Sequence, residues 1–229
     1  MAALYLYAIT DRPDQPPGGG PGLGGEALQS VVCRDIAAIV SPLGAGEVEP
    51  TAANVWRHER VIEALMAERA ALPARFGVAL KSAQVMQDRL AERYDAFAAN
   101  LERVRGRVEL GLRVLWRAAE PAPRATRERA SGGYSYLMAR LDEERHAETE
   151  RRAAEAQVAE LVHGLAPLAV DRVEAVLVTP RLLLNAAYLV DRRQVPAFEQ
   201  AVRQQQAGHP ELRFLCTGPW PAYHFVTAD

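Results

Sequence analysis

Any chemistry in this 229-residue chain would have to come from its five histidines, two cysteines and 29 carboxylates. Their spacing offers no Cys-x-x-Cys, no His-x-x-x-His, no Gly-x-Ser-x-Gly elbow and no P-loop. His146, His163 and His209 stand in polar or terminal contexts. His58 falls on an apolar helix face with no second ligand at metal spacing, the pattern of a core histidine whose nitrogens are satisfied locally. Cys33 and Cys216 each sit in an apolar strand pattern and read as buried free thiols. The glycines from Gly18 to Gly25 lack both the spacing of a phosphate-cradling loop and an immediately following helix, so they read as a flexible connector. Arg75 is the one charge in the run Leu72 to Leu80 and calls for a buried carboxylate partner. These residues predict no catalytic constellation, no bound metal and no cofactor.

The densest unusual feature is the final stretch, Thr217-Gly218-Pro219-Trp220-Pro221-Ala222-Tyr223-His224-Phe225. Its prolines stop the preceding strand from continuing as a central ladder member. Three aromatics in six residues must pack on something, and docking against the tail's own domain is the plain reading. Trp220, Tyr223 and Phe225 are also the partner-binding candidates, because aromatic side chains anchor interfaces.

Composition narrows the rest. A net charge of −2 and a pI near 6.2 leave no basic footprint for nucleic acid. Lys81 is the single lysine among 27 basic residues. The start, Met-Ala-Ala-Leu-Tyr, has no basic n-region, and no apolar run approaches membrane-spanning length. A cytoplasmic protein without membrane partners is expected.

The elements that must position these residues follow from periodicity. Leu4 to Ile9 reads as a buried strand, and Ala27 to Cys33 and Ile36 to Leu43 as two strands turning at Arg34-Asp35. Thr51 caps a helix reaching about Ala70, on which Val55, His58, Ile62 and Leu65 share a face. Leu72 to Leu80 is strand-like. From Ser82, the stripe Met86, Leu90, Tyr94, Phe97, Leu101 and Val104 predicts one amphipathic helix ended by Gly106. Val108 to Trp116 alternates as a half-buried strand. A polar connector covers Ala118 to Ser131. Tyr134 to His163 then reads as a helix with apolar ends and a charged middle, Asp142 to Arg152, which projects into water or folds back as a hairpin. Val173 to Val178 and Leu182 to Val190 are strands joined at Thr179-Pro180-Arg181. A short helix at Val195, Phe198 and Val202 and a strand from Leu212 to Cys216 complete the order.

This order predicts an α+β protein of two domains. Residues 1–106 form an N-terminal α+β domain. Residues 107–229 form a ferredoxin-like βαββαβ domain whose long helix, 133–163, is a charged projection.

Several stretches, in this order, resemble the GvpL/GvpF family of gas vesicle accessory proteins. They are LYLYAI at Leu4, RDIAAIVS ending at Ser41, RHERVIEAL from Arg57, LPARFGVAL from Leu72 and VELGLRV from Val108. SGGYSYLMARL from Ser131, LNAAYLVDR from Leu184 and the closing TGPWPAYHF follow. LPARFG and the closing segment are the most specific of them. Ala222 and His224 replace a common proline and serine, and the L and F subtypes are not separated by these stretches.

The resemblance implies a non-enzymatic accessory or assembly protein located at the gas vesicle or in the cytoplasm. Its partners would be the small apolar shell protein, bound through the C-terminal domain, and other gas vesicle accessory proteins. The alternative is a ferredoxin-like enzyme or small-ligand sensor, which would need a deep pocket lined by clustered carboxylates or histidines.

Overall fold

The computed structural model describes residues 3–14, 18, 20–44, 48–116, 133–176 and 182–226. The connector after Trp116 and the Thr179-Pro180-Arg181 turn lie outside the described residues. The chain divides into two compact units, Met1–Glu109 together with Gly218–Asp229, and Leu110–Thr217. The aromatic tail therefore groups with the N-terminal part of the sequence, not with the C-terminal part to which sequence order assigns it.

The first unit is built on a five-stranded sheet. β1 (Ala3–Asp11) is its central strand, and β2 (Gln29–Cys33) and β3 (Ile36–Leu43) extend it on one side in the order β2-β3-β1-β4. β4 (Ala71–Pro73) and β5 (Ala79–Leu80) both pair antiparallel with β1. Arg34 turns the β2–β3 hairpin at a φ of 57°. Between β4 and β5 the chain leaves the ladder, so the expected single strand is two short ones around a loop. Gly77 bends that loop at a φ of 90°, in the left-handed region that suits a residue without Cβ.

Helix α1 (Ala52–Glu68) starts at Thr51, whose side chain accepts from the Asn54 N–H at 3.3 Å. It buries His58, Val61, Ile62 and Leu65 against Tyr5, Tyr7 and Ile39 of the sheet. The stripe after Ser82 also differs from expectation. It is interrupted at Arg93 (φ −112°, ψ 21°), giving α2 (Ala83–Glu92) and α3 (Tyr94–Val104).

The glycine-rich connector is not a plain spacer where it is described. Leu23 is buried and its N–H donates to Tyr7 Oη at 2.7 Å. A Cβ at Gly22 would lie 2.4 Å from that same oxygen, so only glycine fits there.

The second unit contains β6 (Arg107–Trp116, from Leu110), α4 (Gly133–Leu165), β7 (Asp171–Val176), β8 (Leu182–Asp191), α5 (Val195–Gly208) and β9 (Leu212–Trp220, to Thr217). Its four strands stand in the order β7-β8-β6-β9, with β7 antiparallel to β8. The strand at Val108 and the strand at Leu212 are thus neighbours in one sheet. β9 runs on to Trp220, beyond the expected end at Cys216. Pro219 is tolerated because β9 is an edge strand.

α4 is one continuous helix, about 50 Å long at about 1.5 Å per residue, so the hairpin alternative does not arise. Val158, Leu161 and Leu165 are buried near its end. The described side chains of its middle, Asp142, Glu144, Arg145, Thr149 and Arg152, are all exposed. Both cysteines are free and half-buried, not fully enclosed as their strand pattern suggests.

Candidate functional site

The first unit places a chain of polar groups inside its core. The His58 Nε2–H faces the Ala74 carbonyl at 3.1 Å, which makes Nδ1 the acceptor for the Tyr5 hydroxyl at 3.0 Å. Tyr5 Oη accepts in turn from the Gly77 N–H at 3.1 Å. Burial pushes the Tyr5 phenol up to about 12 and holds the His58 imidazole below its ordinary value, so both are neutral near pH 7. His58 is the satisfied core histidine that its position on the helix predicts.

These bonds have a geometric consequence. They grip residues 74 and 77, on either side of Arg75 and Phe76. The Ala74 N–H adds a bond to the Tyr7 carbonyl at 2.8 Å, and the Leu6 N–H one to Val78 at 3.0 Å. Phe76 closes the arrangement, edge-on to Tyr5 and to His58 at 6.1 and 5.7 Å between ring centroids. The loop that carries Arg75 is held from both ends by part-buried bonds.

The tail is pinned into the same unit by three consecutive residues. The Tyr223 hydroxyl donates to Glu59 Oε1 at 2.9 Å. Burial raises the Glu59 carboxyl, an effect that the Tyr223 bond opposes, and burial followed by the Glu59 charge lifts the Tyr223 phenol far above its usual range. His224 donates its backbone N–H to Glu109 Oε2 at 2.9 Å and faces Oε1 through Nδ1 at 2.7 Å. Phe225 is 2% exposed, and its carbonyl accepts from Arg103 at 3.4 Å. Trp220 is different, with 43% of its surface open. Of the three aromatics singled out from the sequence, Phe225 is core, Tyr223 is a half-buried clasp and Trp220 is presented to solvent.

Tyr223 and Val226 also line a groove of about 470 Å³, within the size range of binding pockets, about 300–1,000 Å³. Ile9, Leu72, Leu80, Met86 and Phe97 supply its buried apolar wall. Three arginines complete the lining: Arg75 from the gripped loop, Arg89 from α2, and Arg93 from the break between α2 and α3. The lining contains no carboxylate and no histidine. Arg75 is exposed and forms no ion pair among the described residues, contrary to the buried partner its surroundings in the sequence call for. Arg89 and Arg93 escaped sequence reading altogether. Their i, i+4 spacing was a visible signal, but nothing in the sequence tied it to Arg75.

The groove joins the two most specific stretches quoted above, LPARFG at Leu72 and the closing TGPWPAYHF, which are separated by most of the chain. Among the described residues, no group of three or more histidines, cysteines or carboxylates could hold a metal ion. No helix among them is long and apolar enough to cross a membrane.

Comparison with known proteins matches residues 3–227 to the family model described as gas vesicle synthesis protein GvpL/GvpF. Gas vesicle protein F1 of Halobacterium salinarum is 29% identical over 97% of this chain and 92% of its own length. Gas vesicle protein L of a Streptomyces species is 31% identical, with the same coverage of both chains. The crystal structure of GvpF from Anabaena sp. PCC7120 superposes with a TM-score of 0.78 at 22% identity, covering 100% of this chain and 98% of that one. GvpF from Microcystis aeruginosa gives 0.76 at 21%, covering 99% and 100%. These last two likenesses are of fold.

Proposed function

This chain belongs to the GvpL/GvpF family of gas vesicle synthesis proteins, and from that premise we propose that it is a non-enzymatic accessory protein that holds the small apolar shell subunit during gas vesicle formation. A role related to gas vesicles goes with the family. Holding the shell subunit, acting without catalysis and residing at the vesicle or in the surrounding cytoplasm are our reading. So is partnership with other gas vesicle proteins. The physical rationale is that an apolar subunit built to assemble through exposed strands aggregates unless those surfaces are masked.

The single observation that carries this reading is the tail. Tyr223, His224 and Phe225 fix it by bonds and burial, while Trp220 is left open a few residues earlier. A fixed backbone presenting one large aromatic costs little entropy on binding, which is the character of an interface anchor. We place the first contact with the shell subunit at Trp220, with Tyr223 as its support and Phe225 as the buried root. The earlier assignment of binding to a C-terminal domain changes accordingly, because the tail groups with the first unit.

We also read the second unit as a ferredoxin-like domain. The order β6-α4-β7-β8-α5-β9 and the sheet order β7-β8-β6-β9 support it. The competing class, a ferredoxin-like enzyme or ligand sensor, would want titratable groups converging in a pocket. The groove offers three guanidinium groups and the Tyr223 phenol, with no carboxylate or histidine in its lining.

The test is co-expression of the intact chain with a gas vesicle shell protein, followed by capture of the complex. Retention of the shell protein is expected, with Trp220→Ala reducing it while leaving the melting temperature nearly unchanged. Capture of no gas vesicle component by the intact chain would end the functional reading. Full retention by Trp220→Ala would end the assignment of the contact.

A further inference from the structure

The groove of the first unit carries an unmatched charge. Arg75, Arg89 and Arg93 converge on an apolar wall, and no carboxylate belongs to the lining. None of the three forms an ion pair among the described residues. Arg105, a surface arginine elsewhere in the same unit, pairs instead with both Asp11 and Glu102. Guanidinium groups accept nothing and bind planar anions through a fork of donors, so three of them around a groove select for negative charge.

We infer that this groove is a docking site for an amphipathic peptide segment that lays an apolar face on the Leu72–Met86–Phe97 wall and sets carboxylates against Arg75, Arg89 and Arg93.

Three features favour this occupant. Arg89 and Arg93 stand one helical turn apart, the spacing that two carboxylates at i and i+4 on a bound helix reproduce. Arg75 approaches from a separate element, so the acidic groups of the occupant must be spread along its length. An amphiphile with a single carboxylate would satisfy one cation and strand the other two. The third feature is preorganisation. The Tyr5–His58 bonds hold the loop beneath Arg75 from both ends, and the Arg93 guanidinium rests over the Phe97 ring at 5.5 Å from its centroid. A site whose loop backbone and one of whose guanidinium groups are already placed loses less entropy when it binds.

The inference stands apart from the shell-subunit reading, because it names an occupant by chemistry at the groove and does not use Trp220. Either can fail without the other.

The experiment measures binding of a labelled designed peptide to the intact chain by fluorescence anisotropy. The peptide has leucines at i, i+3, i+4 and i+7 and glutamates on the flanks of that face. A second peptide replaces the glutamates by glutamines. The acidic peptide is expected to bind more tightly, and added salt should weaken it more than its neutral counterpart. Arg89→Glu combined with Arg93→Glu should weaken binding by on the order of tenfold or more, since like charges then face each other. Arg193→Glu with Arg213→Glu changes the net charge equally on the second unit and should leave binding unchanged. Arg75→Gln, on an exposed loop position, provides a second groove variant should the double reversal lower the melting temperature.

Equal binding of the two peptides overturns the inference. So does equal loss in the groove and control variants. Binding of inorganic phosphate or oleate, but of neither peptide, would reassign the groove to a small anion and overturn it as well. Self-association of the free chain, abolished by the groove variants, would assign the groove to a second copy of this chain with the same effect.

Discussion

The two units build their interiors from different materials. The second unit's core is nearly all hydrocarbon, with Leu110, Leu112, Val114, Val158, Leu161, Leu183 and Phe198 packed together. The first unit buries Tyr5, Tyr7, Ser41 and His58 alongside its aliphatics and links them by hydrogen bonds. Tyrosine makes the contrast sharp. Tyr5 Oη bonds both His58 and the Gly77 N–H, whereas Tyr188 Oη of the second unit is buried without a hydrogen-bond partner among the described residues. Two of the polar groups of the first core, Tyr5 and His58, bond directly to the loop that bears Arg75. A hydrocarbon core specifies only that elements come together; a bonded one also fixes where a particular loop stands.

Four outcomes would break or sharpen that contrast. The largest concerns the hydrocarbon core. Phe198→Ala removes a fully buried ring that packs on Tyr188 at 5.1 Å, and should cost about 3–5 kcal/mol in chemical denaturation. A loss under about 1 kcal/mol would mean that the second core is not tightly packed.

Next comes Tyr5→Phe. It keeps the ring but leaves His58 Nδ1 and the Gly77 N–H without their partner, a loss of about 1–3 kcal/mol. Amide exchange at Gly77 should rise with it. Unchanged exchange there would show that these bonds do not hold the loop.

A pH effect follows from His58. Its folded-state value is held below the ordinary one by burial, so the unfolded chain binds the proton more readily. The stability this contributes is complete above about pH 6.5 and is lost as pH falls from there through the folded value. Glu59 works in the other direction, because burial raises its value. Its contribution is present below the ordinary carboxylate range and is lost as pH rises through the folded value. Denaturation midpoints measured on descending from neutrality should therefore drop less for His58→Gln than for the parent chain. Parallel pH curves for the two would remove His58 from the account.

The smallest effect is expected for Tyr188→Phe. Removing a hydroxyl that has no partner should change stability by less than about 1 kcal/mol, or improve it. A loss as large as that of Tyr5→Phe would erase the contrast between the two tyrosines.

Much of the fold was legible because periodicity reports burial directly. The alternation from Val108 to Trp116 marks β6, and the Thr51 cap and the spacing of His58, Ile62 and Leu65 mark α1. Periodicity does not report which element covers a face. The Leu72–Leu80 run looks like one strand because both its ends are buried, yet its middle leaves the regular ladder, with the Ala74 carbonyl bonded to His58 and the Gly77 N–H to the Tyr5 hydroxyl. The stripe from Met86 to Val104 continues across Arg93 because both helices bury one side, so the break leaves no mark on the pattern. Phe225 and Trp220 have the same sequence signal, and only the packing around each separates root from tip. The groove was the least legible part, since its arginines come from two segments and its tail residues from a third.

The return of Gly218–Asp229 to the first unit has a consequence for how the molecule is made. Residues 110–217 interrupt the sequence of the first unit, so a ribosome completes the second unit before it delivers Tyr223, His224 and Phe225. Until then Glu59 and Glu109 face water without the tail's donors, and the groove lacks its Tyr223 wall. The first unit begins to form first and is finished last, and a cut after Glu109 would leave it in that unfinished state permanently.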